Sequence, residues 1–375
     1  MAANIIPILE LSGSYSHMGE CFGASYRTEI KELAQSRMDR LISFVKKYGK
    51  VTVTQEEVLD LTRNTLLVHE KYDANIWDEF TGIARGADIL LEWLLVLNSY
   101  TDLRDYICKV KGFNDPEVRF DGCTGFILDK TMTAEKQIII GQTWDMSVEA
   151  IDYLVIVKKT PNPGCGPSMV YLTTMGCLAL IGLNQHKLAV GTTNLIANDS
   201  QIGINYLHTI TKALMCEDYS SLVKTIIHTT RMSGHSFLCA NTTQGNLIET
   251  SAKEYFNQKL DHYPLVKTNH YGDSMLACQA VSPELRQRNS MYRSGRAISL
   301  LSSRNNWTPD ALWNEVLADC TRSSSGAAIC NEDYTGKFSE FATLATVLLL
   351  PELNTMWVCR GGASSGGKQK VILTY

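Results

Sequence analysis

The chain has 375 residues, of which 45% are hydrophobic and 20% charged, and its formal net charge is −4. These values are ordinary for a globular protein, and the small negative charge predicts neither nucleic acid nor an acidic membrane surface as a partner. No run approaches the roughly 18 apolar residues that a membrane-spanning helix needs, and no secretory signal is recognisable at the N-terminus. None of the 11 cysteines has C-x-x-C spacing, so we expect reduced thiols in a cytoplasmic protein.

The first 122 residues are predicted to be mostly helical. Apolar residues recur at helical spacing, and Thr54 and Glu57 have the spacing of a capping box. The predicted helices cover residues 28–47, a segment that begins at Thr54, residues 74–87 and the almost continuously apolar stretch 89–100. Residues 108–118 carry charge, Gly and Pro, and are predicted to form an exposed connection.

After residue 122 the pattern changes to short runs of β-branched and aromatic residues. The predicted strands are 126–128, 137–145, 153–158, 169–174, 187–193, 236–241, 246–250, 345–350, 355–360 and 371–375. Helices are predicted at 203–215 and 219–228, and two more begin at Ser282-Pro283-Glu284 and Thr308-Pro309-Asp310. This order indicates an α+β fold in which sheets stack together and helices pack outside them.

The pair Gly122-Cys123 lies where the helical pattern gives way to strands. If the bond between them is cut, Cys123 gains an α-amine with a pKa of roughly 7.7 to 8, which can take the proton of its own thiol. Gly122 has no Cβ, so its carbonyl is open to attack by the sulfur. An isolated Gly-Cys pair is far more often an ordinary turn, and only its position and possible partners favour a nucleophile here.

Five polar residues at or near strand ends are candidate partners: Asp145, Asn194, Ser236, Asn269 and Arg360. An Asn amide can stabilise an oxyanion, and an Asp can orient an ammonium group. An Arg can bind a carboxylate substrate or neutralise the Asp. Each of these residues taken alone would be interpreted as a turn or surface residue.

Two other mechanisms remain open at this point. His235 and His270 lie near candidate strands, so either could form a Cys–His dyad in an unprocessed hydrolase. A binding protein that has kept the fold without catalysis is also possible. No His, Cys and acidic residues have metal-ligand spacing, so no metal site is predicted.

Several segments together resemble the acyl-coenzyme A:6-aminopenicillanic acid acyltransferase family, the self-processing N-terminal-nucleophile (Ntn) cysteine hydrolases that include β-alanyl-dopamine hydrolase. The resemblance depends on the order and spacing of short motifs rather than on any one of them. The motifs are Gly82-Ile83-Ala84-Arg85-Gly86-Ala87, Leu97-Asn98, Asp121-Gly122-Cys123-Thr124, Gly141-Gln142-Thr143-Trp144-Asp145, Ile181-Gly182-Leu183-Asn184, Ala189-Val190-Gly191, Thr268-Asn269-His270, Ser282 with Arg286, and Arg360-Gly361.

The resemblance implies an αββα four-layer sandwich that cuts itself between Gly122 and Cys123. A helical segment 1–122 would stay bound to the catalytic segment 123–375, the two together forming one compact domain. Cys123 would be the nucleophile and its amine the base. Asp145 and Arg360 would lie in the active site, Asn269 would form the oxyanion hole, and Thr124, Asn194 and Ser236 would line the substrate pocket.

By the same resemblance, the substrate is a small-molecule amide, amine or acyl thioester, with acyl-coenzyme A as one candidate. No metal or other cofactor, nucleic acid or membrane is expected to take part, and a homo-oligomer is possible. One departure matters. The penicillin enzyme has a Thr two places after its nucleophile, where this chain has Gly125, so the substrate need not be a penicillin precursor.

Overall fold

The computed structural model describes residues 5–113, 122–278, 280, 284–335, 340–365 and 367–374. The α-helices in these ranges are α1 (Tyr15–Ser25), α2 (Arg27–Phe44), α3 (Gln55–Tyr72), α4 (Ala74–Ala87), α5 (Leu91–Asn98), α6 (Tyr100–Lys111), α7 (Tyr206–Leu214), α8 (Tyr219–His228), α9 (Ser274–Ala277), α10 (Glu284–Leu301) and α11 (Pro309–Ala311). A wider π-helical turn extends α2 over Val45–Gly49, and another extends α11 over Leu312–Leu317.

The strands lie in two sheets. They are β1 (Ile8–Gly13), β2 (Thr124–Leu128), β3 (Ile139–Ser147), β4 (Leu154–Pro161), β5 (Met169–Thr174), β6 (Ile181–Asn184), β7 (Ala189–Asn194), β8 (His235–Ala240), β9 (Gly245–Thr250), β10 (Tyr255–Lys259), β11 (Leu265–Lys267), β12 (Phe341–Leu350), β13 (Thr355–Arg360) and β14 (Gln369–Ile372). The larger sheet has the order β1-β4-β5-β6-β7-β8-β9-β10, and the smaller has the order β11-β2-β3-β12-β13-β14. Neighbours are antiparallel except β1, which pairs with β4 in parallel.

The two sheets stack face to face, and one buried side chain joins their backbones. Gln142 on β3 of the smaller sheet accepts a hydrogen bond from Thr192 N on β7 of the larger sheet, at 2.9 Å. The Gln142 amide also donates to Thr192 O. Apolar side chains of both sheets, such as Ile140 and Leu238, lie close to this link beside Gly191.

Helices cover both outer faces. On the larger sheet, α7 contacts β6 and β7, and α8 contacts β8 and β9. On the smaller sheet, α10 contacts β2 and β11, and a second apolar cluster that includes Phe126, Trp313 and Trp357 fills the space beneath the helices. The predicted αββα order is therefore confirmed. No helix among the described residues is both long and apolar enough to cross a membrane.

Most predicted elements are confirmed, and the structure adds several that the sequence pattern did not reveal. The ranges 74–87, 169–174, 219–228 and 355–360 coincide with α4, β5, α8 and β13. The elements not predicted are α1, α6, α9, β1, β6, β10 and β11, and residues 108–111, wrongly expected to belong to an exposed connection, form the end of α6. The motif residues Asp121, Ser282 and Pro283 and the end of the last predicted strand at Tyr375 lie outside the described residues.

Two helices of the first segment cross at backbone contact. Gly19 and Gly23 of α1 face Gly82 and Gly86 of α4, and a Cβ on any of these four would overlap the backbone of the opposite helix. The spacing of the glycines in the motif 82–87 is therefore explained by helix packing.

The first segment is tied to the rest of the chain by a buried ion pair. Lys159 Nζ on β4 lies 2.6 Å from Glu79 Oε2 on α4, and the two side chains are 0% and 1% exposed. Breaking such a pair costs about 3–5 kcal/mol because one charge stays buried without its partner. An exposed pair such as Lys31 and Asp88, at 2.9 Å, contributes far less, because water screens the two charges.

We therefore expect Glu79→Gln to lower the free energy of unfolding by about 3–5 kcal/mol, measured by urea denaturation. The matched change at the surface, Asp88→Asn, should lower this free energy far less than Glu79→Gln does. Equal effects of the two substitutions would contradict this account of the buried pair.

Candidate active site

Cys123 lies immediately before β2, between the two sheets. Side chains alternate along this strand, so Cys123 and Ile127 join the apolar core that the sheets share, whereas Phe126 and Leu128 face the α10 side. Cys123 is 5% exposed, and its Sγ donates to Asp145 O on the neighbouring strand β3 at 3.7 Å. The thiol is thus held at a sheet end and faces the inter-sheet space.

Arg293 of α10 holds the backbone around Cys123. Its Nη1 donates to Gly122 O at 2.7 Å, to Cys123 O at 2.5 Å and to Thr124 Oγ1 at 3.1 Å. Its Nη2 donates to Asn269 Oδ1 at 3.0 Å, and the residue is 4% exposed. A single buried cation therefore joins both carbonyls at the predicted cleavage site to the predicted oxyanion residue.

Sequence reasoning did not identify Arg293. The available signal was the inward face of α10, where Arg286, Ser290, Arg293 and Ala297 are buried at helical spacing. A helix that turns arginines toward the core indicates acceptors there, because a buried guanidinium needs hydrogen-bond partners. Only the start of this helix was interpreted from the sequence.

Asp145 lies beside Gly122. Its Oδ1 accepts from Thr343 Oγ1 of β12 at 2.7 Å, and the residue is 3% exposed. A Cβ built on Gly122 would be 3.3 Å from Asp145 Oδ2 and 3.3 Å from Arg293 Cζ. The carboxylate and the guanidinium thus flank Gly122, and a larger residue there would press on both.

Asn269 and the predicted pocket residues are brought together at the ends of β7 and β8. Asn269 Nδ2 donates to Asn194 O at 3.0 Å, and Asn269 N donates to Ser290 Oγ at 2.7 Å. Because Oδ1 accepts from Arg293, these contacts fix which end of the amide is the donor. Ser236 joins the same network through Thr193, whose Oγ1 lies 2.6 Å from Ser236 Oγ.

Arg360 is the one predicted site residue that lies apart from this group. Its Nη1 donates to Ile151 O at 2.7 Å and to Asp152 Oδ1 at 3.2 Å. Arg360 ends β13, which is separated from β3 by β12, and neighbouring strands lie about 4.8 Å apart. The structure therefore ties Arg360 to the segment after β3 and does not bring it to Asp145 as expected.

The two histidines considered for a dyad have other contacts. His235 stacks on Tyr206 with ring centroids 4.2 Å apart, and its Nδ1 lies 3.8 Å from Asp102 Oδ1. Burial lowers the pKa of His235 to about 3, so the ring is neutral at pH 7. His270 Nδ1 lies 2.7 Å from Ser290 Oγ. These contacts position both rings without using Cys123.

A narrow cavity lies between α5, α7 and the inner ends of the strands. Its wall includes Trp144 and Met146 of β3, Arg37, Cys177 and Tyr206. Trp144 and Cys123 both belong to the inter-sheet core. The wall is mainly aromatic and apolar, with a single guanidinium, and the cavity volume of about 20 Å³ leaves room for roughly one water molecule.

The space around Gly125 explains the departure from the penicillin enzyme. A Cβ at this position would lie 3.1 Å from both Leu238 Cδ1 and Leu238 Cδ2 on β8. A threonine would therefore collide with the facing sheet unless Leu238 moved. The space that a threonine side chain would need at position 125 is occupied here by the Leu238 side chain of the facing sheet.

Comparison with known proteins assigns the family. A sequence profile described as acyl-coenzyme A:6-aminopenicillanic acid acyl-transferase matches residues 131–365, more than half of the chain. The chain belongs to this family. The matched range includes Asp145, Asn194, Ser236, Asn269 and Arg360 and begins after Gly122, Cys123 and Thr124.

Distant similarity also links the chain to individual sequences and solved structures. The acyl-coenzyme A:6-aminopenicillanic-acid-acyltransferase 40 kDa form of Emericella nidulans is 25% identical over 178 residues, which is 48% of this chain and 44% of the relative. The chain thus spans less than half the length of that relative. The solved structures include the Caenorhabditis elegans N-acylethanolamine-hydrolyzing acid amidase ortholog, 16% identical with a TM-score of 0.44 over 62% of this chain and 94% of that one. Another is a C2A mutant of the Clostridium perfringens conjugated bile acid hydrolase, 10% identical with a TM-score of 0.43 over 68% and 97%.

His270 makes the stability of the folded protein depend on pH in the acidic range. Burial, aided by the nearby Lys267, lowers the pKa of His270 to about 4, compared with about 6.5 in an unfolded chain. Between pH 6.5 and 4 the unfolded chain therefore binds a proton that the folded chain does not. The contribution of His270 to stability is complete above pH 6.5 and is lost as the pH falls toward 4.

We expect His270→Asn, which can still bond Ser290, to flatten the fall of unfolding free energy between pH 6.5 and 4. The slope of unfolding free energy against pH should differ from that of the wild type by at most about 1.4 kcal/mol per pH unit, which is the limit for one proton. Urea denaturation at a series of pH values measures it. The exposed His262→Asn serves as the control, and an equal change in both variants would count against the role of His270.

Proposed function

We propose that the chain is a self-processing Ntn cysteine amidohydrolase or acyltransferase that forms an acyl-enzyme on Cys123. The proposal rests on the family membership and on one observation in particular. The carbonyl of Gly122, directly before the thiol residue, accepts a hydrogen bond from the buried guanidinium of Arg293 at 2.7 Å. A positive donor at this oxygen is what cleavage of the Gly122–Cys123 bond needs.

The cleavage proceeds as an N-to-S acyl shift. Cys123 Sγ forms a bond to the carbonyl carbon of Gly122, and the negative charge that develops on Gly122 O is stabilised by Arg293. The bond from that carbon to Cys123 N then breaks, and the nitrogen takes up the proton that the thiol gave up. Water hydrolyses the resulting thioester, which frees a carboxylate on Gly122 and both the thiol and the amine of Cys123.

The freed amine then serves as the base for turnover. Its pKa of roughly 7.7–8 lets it accept the thiol proton near neutral pH. Asp145, which flanks Gly122, is close enough to that position to orient the ammonium form. The thiolate attacks the carbonyl of an amide or thioester, the leaving amine or thiol departs with a proton, and water or an acceptor amine resolves the acyl-enzyme.

Asn269 is the oxyanion donor in this scheme. Arg293 holds its Oδ1, so the NH₂ group points to the side of the site where Asn194 lies. Nδ2 has two protons, and Asn194 O uses one of them, so the second can serve an oxyanion. Thr124, Asn194 and Ser236 are proposed to line the pocket, and Arg360 to support its outer edge through Ile151.

After cleavage the two segments are proposed to stay together. Segment 1–122 contributes β1 to the larger sheet. Its Asn98 donates to Gly176 O at 3.0 Å and accepts from Leu178 N at 2.9 Å, both buried. The substrate class is a small-molecule amide or acyl thioester, acyl-coenzyme A being one candidate for the acyl donor, and none of these steps calls for a metal or redox cofactor.

Processing predicts two fragments, residues 1–122 and 123–375, in denaturing mass spectrometry of the purified protein, the larger one beginning at Cys123. Cys123→Ala should remain full length and inactive.

A wild-type chain that stays intact on incubation while retaining activity would refute the processed nucleophile. Loss of that activity in His235→Ala or His270→Ala would then favour the Cys–His dyad. A chain that forms no acyl adduct with any thioester or amide probe would favour a non-catalytic binding protein.

Arg293→Lys keeps the charge but cannot reach Gly122 O and Asn269 Oδ1 together, because Lys has a single nitrogen. We expect self-cleavage to slow by about 10²–10³-fold, the usual effect of losing an oxyanion donor. The fraction of intact chain over time, measured by gel electrophoresis, gives the rate. Arg288→Lys, an exposed change on the same helix, should cleave at the wild-type rate. Normal cleavage in Arg293→Lys would exclude Arg293 from the step.

A further inference from the structure

Two cysteines and a glutamate outside the proposed active site meet at one point. One ligand atom each of Cys320, Cys330 and Glu332 lies within 4.8 Å of the other two. Cys330 is fully buried, and the other two residues are half-buried. No metal site was predicted from the sequence, and the spacing C-x₉-C-x-E of these residues is not a recognisable ligand pattern, because only the folded loop brings them together.

The loop that carries the cluster is folded by its own hydrogen bonds. Cys330 N donates to Asp319 O at 3.0 Å, which brings the two cysteines side by side, and Ser323 N donates to Ala327 O at 2.8 Å to close the turn between them. Asp319 is in turn bound by Arg296 of α10 at 2.8 Å. The two cysteines are therefore held close together by backbone hydrogen bonds of the loop.

Two further observations point to a ligand. Glu332 Oε1 is buried and has no hydrogen-bond partner among the described residues, an arrangement that is costly for a carboxylate oxygen unless something else binds it. Gly362 covers the cluster, and a Cβ there would overlap both Cys330 Sγ and Glu332 Oε1. The glycine thus leaves room where the sulfur and the oxygen converge.

The spacing suits a tetrahedral ion. Zinc–sulfur bonds of about 2.3 Å and zinc–oxygen bonds of about 2.1 Å place a sulfur and an oxygen ligand about 3.6 Å apart. Cys320 Sγ and Glu332 Oε2 are 3.8 Å apart. Ser364 Oγ lies 3.7 Å from Cys320 Sγ and can donate to the sulfur. Two thiolates favour zinc over magnesium or calcium, which prefer oxygen ligands.

We propose that Cys320, Cys330 and Glu332 bind one Zn²⁺ ion, with water as the fourth ligand. The ion would fix the loop 319–334 against the turn at Gly362. Two bonds connect this loop to the proposed catalytic strands: Thr143 Oγ1 donates to Ile329 O at 3.0 Å, and Asn331 N donates to Thr343 Oγ1 at 2.9 Å. Thr343 is the residue that holds Asp145, so the site is a structural clamp behind the carboxylate.

The test uses the full-length protein, purified under reducing conditions and loaded with Zn²⁺. We expect one zinc per chain by plasma mass spectrometry after gel filtration. Cobalt loading should give the thiolate-to-metal charge-transfer band of a tetrahedral site. Cys320→Ser and Gly362→Ala should each weaken zinc affinity at least about 10-fold, measured by competition with a chromogenic chelator.

The matched controls are Cys278→Ser, an exposed cysteine, and Gly367→Ala, where an added Cβ meets nothing within 4 Å. Both should bind zinc like the wild type, and so should Cys123→Ala, which separates this proposal from the one on catalysis. Circular dichroism confirms that each variant is folded. A zinc content below one half per chain would overturn the proposal, and so would an equal loss of zinc affinity in a control variant. A Cys320–Cys330 disulfide in the freshly purified protein would also overturn it.

Discussion

The burial of one guanidinium organises the centre of this protein. Taking a charge out of water is costly unless every donor finds an acceptor, so Arg293 can occupy its place only if carbonyl and amide oxygens converge on it. Gly122 O, Cys123 O and Asn269 Oδ1 meet that need. The same bonds set the path of the chain into β2, the direction of the thiol, and the donor end of the Asn269 amide. Stability and the proposed chemistry therefore rest on one set of contacts.

The surroundings of the Asp145 carboxylate are built in a similar way, from buried polar groups that hydrogen-bond to one another. Asp145 is bound by Thr343, and Thr343 also anchors the loop that follows the last helix through Asn331. Such networks hold their members more firmly than isolated pairs do, because each hydrogen bond fixes the donor of the next. A displacement of the loop 319–334 would consequently be felt at Asp145, although no residue of that loop carries a predicted catalytic role. This is the physical reason that a metal clamp in the loop would matter to the site.

Local signals predicted much of the fold, and tertiary contacts decided the rest. The capping box is an example of a local signal, since Glu57 N donates to Thr54 Oγ1 and Thr54 N donates back to Glu57 Oε2. The strand order is not local, and neither is the position of Arg360, which depends on β12 lying between β13 and β3. Arg293 was missed because its partners are more than 160 positions away or on another loop. The Cys320 cluster was missed because a turn, and not a fixed spacing, brings its ligands together.

The two faces of β2 carry different kinds of contact in the proposed site. On the α10 face, Thr124 and the main-chain carbonyls meet Arg293, and these contacts are polar and tightly satisfied. On the inter-sheet face, Gly125 packs against Leu238, and Trp144 and Tyr206 line the nearby cavity. A change on the first face alters the charge at the Gly122 carbonyl, which is proposed to react, whereas a change on the second alters only shape and apolar contact. The replacement of a threonine by Gly125 falls on the second face. In the proposed reaction it therefore changes the surface available to an acyl group while leaving the contacts around the Gly122 carbonyl as they are.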